Sequence, residues 1–234
     1  YLVYRHMAEQ MKPWSVVVRA FDLSAGQLER EAGEVEENPA LGLRAIRLLL
    51  EHPVLFKEQV RAMLRARVHG NVKAMFPMIS GVGEFREALD VVEEAKRELR
   101  RDGLEFGEDM PCGITLEVPS AAATADLLAS EADFISIGTN DLIQYLLGVD
   151  RGNDRVAYLY EPLHPAILRT LRFVINSAHE AGIKVGMCGE MAAEPQLVAL
   201  LVGFCLDSLS MNSGRVPITN GRLRVPPWAQ LTCQ

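Results

Sequence analysis

The sequence predicts an α/β protein built of repeated βα units around a parallel sheet, of either the TIM-type (β/α)8 barrel or the doubly wound kind. Short β-branched runs alternate with longer amphipathic stretches, the signature of βα repetition. The strand runs are continuously apolar, as in strands buried on both faces. A third observation answers a demand specific to a barrel, that residues capable of chemistry sit where each strand passes into its loop. Arg19 and Asp22 follow VVV, Glu117 follows ITL, Asn140 and Asp141 follow ISIGT, and residues 188–190 follow KVGM. No G-x-G-x-x-G opens a helix after the first strand, so a dinucleotide-binding reading has no support.

Taken in order, strands are expected over 15–21 (SVVVRAF), 72–79 (VKAMFPMI), 113–118 (GITLEV), 134–138 (FISIG), 184–188 (KVGMC) and, on a weaker pattern, 207–211 (DSLSM). Helical periodicity falls between them at 44–51, 54–68, 82–101, 121–129 and 165–181, several of these stretches carrying Gly or Pro at their ends.

With 234 residues, of which 49% are hydrophobic, the chain can bury one large core. A net charge of −7 with no basic stripe argues against a nucleic-acid or anionic-membrane surface. No apolar run reaches the roughly 18 residues of a membrane span, and no signal peptide opens the chain. Four cysteines, Cys112, Cys188, Cys205 and Cys233, lie far apart with no C-x-x-C pair, which suits a reducing cytoplasm better than a disulfide framework or a zinc site. The chain opens on Tyr1 rather than Met and is expected to be a piece of a longer polypeptide.

Glu117 reads as a carboxylate at a barrel mouth, or as a loop acid capping the next helix. Asp141, in the triplet Thr139-Asn140-Asp141, reads equally as a residue of a helix N-terminus. Their pairing alters this balance. Carboxylates ending successive strands meet at the mouth, where they repel unless a cation intervenes, and Mg²⁺ takes one or two carboxylates with phosphate oxygens and water. Arg19, Arg44, Arg47 and Arg151 offer guanidinium forks suited to phosphate, against the commoner fate of a solvated or paired surface arginine. Cys188, among glycines in GMCGE, can act as an acid toward a carbanion-like carbon or pack as a small hydrophobe. His6, His52, His69, His164 and His179 show no metal-ligand spacing.

The motifs VVVRAFD, NPALGLRAIR, MFPMIS, LEVPSAA, FISIGTNDLIQY, VDRGND, LHPAILR and GMCGEMA occur in this order between about residues 4 and 211. Together they resemble the C-terminal barrel of enzyme I of the phosphoenolpyruvate-dependent sugar phosphotransferase system, a family related to pyruvate phosphate dikinase and phosphoenolpyruvate synthase. The resemblance implies a (β/α)8 barrel over 1–211 that lacks its first strand, with an atypical tail of unassigned structure over 212–234. It implies Mg²⁺ held by Glu117 and Asp141, the substrate phosphate gripped by Arg19, Arg44 and Arg151, Asn140 assisting through its amide, and Cys188 protonating the enolate carbon. It further implies phosphoenolpyruvate and pyruvate as ligands, a phosphohistidine domain on the N-terminal side, a phosphocarrier protein, and a homodimer. The alternatives are a dikinase or synthase barrel and a non-catalytic sensing module. Where the family reads Gly-Gly-Asp-Lys, this chain has Ser24-Ala25-Gly26-Gln27.

Overall fold

A computed structural model describes residues 1–24 and 36–223. The altered turn at residues 25–27 therefore lies outside the described residues, as do residues 224–234. The chain is α/β with parallel strands, as expected, and divides into two compact units, Tyr1–Ile114 and Thr115–Gln234.

The first unit comprises α1 (Leu2–Met11), β1 (Ser15–Arg19), α2 (Ala45–Glu51), α3 (Pro53–Arg67), β2 (Asn71–Phe76), α4 (Val82–Arg101) and the opening of β3 (Cys112–Leu116). β1 runs parallel to β2 from Ser15↔Asn71 to Arg19↔Met75, and β2 runs parallel to β3 from Ala74↔Cys112 to Phe76↔Ile114. Strand alternation puts Val16 and Val18 of β1 and Val72, Ala74 and Phe76 of β2 on buried faces. Phe76 meets Phe56 of α3 edge-on at 5.7 Å and Phe85 of α4 at 6.2 Å between ring centroids, which fixes both helices on one side of the sheet. α1 has no counterpart among the expected helices. Only Ala8 of its ten residues is buried, so it leaves little periodic signal.

The same two helices are joined by an ion-pair ladder. Lys57 Nζ lies 2.9 Å from Glu94 and 2.7 Å from Glu98, while Arg61 reaches Glu98 at 3.0 Å and Asp102 at 2.7 Å. Hydrogen bonding from Lys57 holds the Glu98 carboxyl below its ordinary pKa, and hydrogen bonding from Arg61 does the same for Asp102. Bonds to Glu98 and then Glu94 raise the Lys57 ammonium. A carboxylate depressed in the folded state stabilises above its unfolded pKa, and that contribution is lost as pH falls through the folded value. The raised lysine contributes below its unfolded pKa, and this is lost as pH rises through the folded one. Lys57→Met is therefore expected to show a smaller drop in unfolding midpoint than the wild type between neutrality and about pH 4 and below. Equal drops would remove the ladder from the acid response.

The second unit takes up the chain at Thr115. It holds α5 (Pro119–Ala123), α6 (Ala125–Ala129), β4 (Phe134–Gly138), α7 (Thr139–Leu147), α8 (Pro165–Glu180), β5 (Lys184–Cys188), α9 (Glu190–Ala193), α10 (Val198–Gly203), β6 (Ser208–Leu209) and α11 (Val216–Leu223). β4 and β5 are parallel from Phe134↔Lys184 to Gly138↔Cys188, and β5 and β6 from Gly186↔Ser208 to Met187↔Leu209. β4 and β5 have the bounds the sequence predicts. The helix expected over 121–129 is two short ones, interrupted where Thr124 Oγ1 donates to the Ser120 carbonyl at 2.9 Å. α8 begins at Pro165 under a cap in which His164 Nδ1 accepts from the Ala166 amide at 3.1 Å, giving that histidine a structural role.

Two expectations are sharpened. The described residues contain six strands, fewer than a (β/α)8 barrel without its first strand would show. The segment after Met211, which carries prolines and no helical period, forms a helix over Val216–Leu223. One of those prolines, Pro217, falls in its first turn, where the missing amide hydrogen costs nothing.

Candidate functional site

Glu117 directly follows β3, all five residues of which are buried. Two positions after Thr115, it shares that residue's face of the strand and is only 3% exposed. Its carboxylate packs against the last residue of β4: a Cβ built on Gly138 would lie 2.6 Å from Glu117 Oε2 and 2.9 Å from Thr115 Cγ2. The buried Thr115 Oγ1 has no hydrogen-bond partner. A carboxylate is tolerated at such depth only where donors or a cation face it.

Gly138 is also the N-cap of α7, and no side chain caps that helix. The capping reading of the Thr139-Asn140-Asp141 triplet therefore fails in detail, because its first two side chains serve a neighbouring loop. Thr139 Oγ1 donates to the Cys188 carbonyl at 3.0 Å, and Asn140 Oδ1 accepts from the Glu190 amide at 2.9 Å. These bonds need Gly189 in a left-handed conformation (φ 101°), where a Cβ would strike Thr139 Oγ1 at 2.6 Å and Asn140 Oδ1 at 2.8 Å. With Asn140 Oδ1 so engaged, its amide nitrogen is the atom left for a ligand. Asp141 lies in the first turn of α7, where the helix dipole favours a negative charge, and its Oδ1 is 3.7 Å from Arg151 Nη2.

Tyr160 donates its hydroxyl to the Asn140 carbonyl at 3.4 Å. Burial pushes its phenol pKa up, partly offset by Arg151, so the proton stays in place for that bond. Cys188, a partly buried thiol, accepts from Ser136 Oγ at 3.4 Å and approaches the Ile137 carbonyl at 3.5 Å. A cavity of about 440 Å³ opens at this end of the strands, lined by Asn140, Gly189, Glu190, Ser210, Asn212 and Arg215 among others. A larger depression beside His52 and Val54 in the first unit contains none of the candidate residues.

The first unit places Arg19 and Arg44 around one carboxylate. Asp22 takes Arg44 Nε at 3.1 Å and Nη2 at 3.0 Å on Oδ1, with Nη2 also 2.8 Å from Oδ2, and Arg19 Nη1 stands 3.5 Å from Oδ2. Arg44 is held extended at the start of α2 by a bridge to Ser24. Arg47 does not join them, since its Nη1 donates to the carbonyls of Leu41 at 2.8 Å and Gly42 at 3.2 Å. The sequence reading missed Gln59, a buried polar residue on the apolar face of α3. Its side chain accepts from the Phe21 amide at 3.0 Å and donates to the Arg19 carbonyl at 3.3 Å and Tyr4 at 3.0 Å, fixing the strand end that carries Arg19. A glutamine among periodic apolar positions was the signal available for it.

Glu117, Asp141, Asn140, Arg151 and Cys188 thus belong to the second unit, and Arg19 and Arg44 to the first. Among the described residues no group of three or more His, Cys, Asp and Glu side chains is arranged to hold a metal. In chemistry alone, the two carboxylates Glu117 and Asp141 are of the kind taken by a hard ion such as Mg²⁺, which is content with two carboxylates and draws its other ligands from water and phosphate.

Parallel βα units carrying carboxylates and arginines at strand ends are the equipment of a phosphate-ester-binding domain. The chain belongs to the PEP-binding domain family of PEP-utilising enzymes, whose family model matches residues 1–225. Within it, the chain is 47% identical over 222 residues to a phosphoenolpyruvate-protein phosphotransferase of Priestia megaterium, covering 94% of the chain and 39% of that relative. It is 48% identical over 211 residues to that of Bacillus subtilis, covering 90% of the chain and 37% of the relative. The chain therefore spans well under half the length of these curated relatives. Among solved structures, a citrate lyase from Burkholderia xenovorans has a TM-score of 0.57 at 15% identity, covering 94% of this chain and 72% of that one. RipC from Yersinia pestis has a TM-score of 0.51 at 9% identity, covering 93% and 79%. These two likenesses concern the fold alone.

Proposed function

We propose that this chain is the phosphoenolpyruvate-binding part of a phosphoenolpyruvate–protein phosphotransferase, with Mg²⁺ on Glu117 and Asp141. The observation that carries this reading is the buried Glu117 carboxylate, set against the N-terminus of the helix that bears Asp141 in a chain of the PEP-binding family. In the second unit Arg151 contacts the phosphate oxygens and the Asn140 amide nitrogen donates to the ligand; for Arg19 and Arg44, held on Asp22 in the first unit, a phosphate-binding role rests on the family resemblance. The metal, when bound, neutralises charge on the phosphoryl and enol oxygens. The P–O bond to the enol oxygen breaks as a bond forms to a histidine nitrogen on another domain. The Cys188 thiol then gives its proton to the methylene carbon, releasing pyruvate, and the thiolate recovers a proton from solvent.

The histidine passes its phosphoryl group to a phosphocarrier protein in sugar uptake. The setting is cytoplasmic and the assembly a homodimer. No described helix is long and apolar enough to cross a membrane. Calorimetric titration with phosphoenolpyruvate is expected to give saturable heat with Mg²⁺ and little without it. Absence of binding by a cooperatively folded sample would overturn the reading.

A further inference from the structure

We infer that Gly138 is a positioning residue for the Glu117 carboxylate, and that the space left by its absent side chain sets where that carboxylate lies. Its backbone does not call for glycine. At φ −86° and ψ 82° it avoids the left-handed region, and an alanine adopts such angles without strain. The demand comes from its surroundings. A Cβ at this position would stand 2.6 Å from Glu117 Oε2, 2.9 Å from Thr115 Cγ2 and 3.0 Å from Glu117 Cβ.

The backbone cannot relieve this contact. Gly138 is the final paired residue of β4, opposite Cys188 of β5. The next two residues are tied to the end of β5 and the start of α9 by the Thr139–Cys188 and Asn140–Glu190 bonds. Thr115 is β-branched and fully packed, so its methyl has no free rotamer to take. Of the three contacts, the shortest is to the flexible far end of Glu117, so a methyl group at 138 displaces the carboxylate first, while the 2.9 Å approach to Thr115 Cγ2 adds a cost that does not depend on the side chain at 117.

Two readouts test this, one resting on the metal reading proposed above and one independent of it. Mn²⁺, a paramagnetic hard cation, reports on the carboxylate by electron paramagnetic resonance titration. Gly138→Ala is expected to weaken Mn²⁺ binding about 10- to 100-fold, as loss of a residue that orients a metal ligand does. Glu117→Asp draws the oxygens back by one methylene, and adding Gly138→Ala to it is expected to cause little further loss. The same cycle is run on metal-free protein, where Gly138→Ala is expected to lower the unfolding midpoint in both backgrounds through the Thr115 contact, and by more beside Glu117 than beside aspartate. Equal drops in both backgrounds, or an unchanged midpoint in Gly138→Ala, overturn the inference. Failure of the wild type to bind Mn²⁺ with the midpoint coupling present overturns only the metal reading.

Discussion

Glu117→Ala is expected to abolish the Mg²⁺ dependence of phosphoenolpyruvate binding. The substitution removes one of two carboxylates in the proposed donor set, and metal stabilisation of phosphoryl charge is worth several kcal/mol, so the affinity should fall by about two to three orders of magnitude. The effect on ligand-free protein runs differently. Loss of the packed methylene costs about 1 kcal/mol, and removing a carboxylate that is 3% exposed leaves the groups that face it without their partner. The metal-free midpoint is thus expected to fall, while the ligand-dependent rise disappears altogether. Thermal unfolding with and without phosphoenolpyruvate and Mg²⁺ separates the two. A rise retained in the variant would place the metal on other residues.

The second large effect is expected at Asp22. Its carboxylate bridges Arg44, in a bidentate pair, and Arg19. The side chains of Asp22 and Arg44 are 9% and 18% exposed, between a solvated pair worth up to about 1 kcal/mol and a buried one whose breakage costs about 3–5 kcal/mol. Asp22→Ala is accordingly expected to cost about 2 kcal/mol, measured by chemical denaturation. It also leaves two guanidinium groups facing a space where an anion had been. Inorganic phosphate is therefore expected to raise the stability of the variant more than that of the wild type, by linkage to binding at that space. If phosphate stabilises both equally, Asp22 is a structural anchor for Arg44 and the two arginines are not poised for an anion.

These expectations draw on different layers of information. The alternation of strand and helix was legible in the sequence because it rests on short-range periodicity, and the bounds of β4 and β5 follow from apolar runs flanked by polar residues and glycine. Weakly periodic pieces escaped. α1 buries a single residue, and α7 is only nine residues long, its start marked by a triplet that was legible as a helix N-terminus. The residue types of the site, carboxylates and arginines after strand ends, were legible for the same local reason. Their neighbours were not.

What the sequence alone determined, then, was the α/β class, most of the elements, and the identity of Glu117, Asp141, Asn140, Arg151, Cys188, Arg19 and Arg44 as candidates. Only the tertiary structure decided that Asp22 joins Arg19 to Arg44 while Arg47 is engaged by its own loop. It likewise decided that Thr139 and Asn140 bind the end of β5 and the start of α9 rather than cap their own helix, and that Glu117 is buried against Gly138. The reason is physical. Periodicity encodes which face of an element is buried, whereas a hydrogen bond from residue 139 to 188 or a close contact from 117 to 138 depends on strand register, which sets neighbours across distances that no local pattern spans.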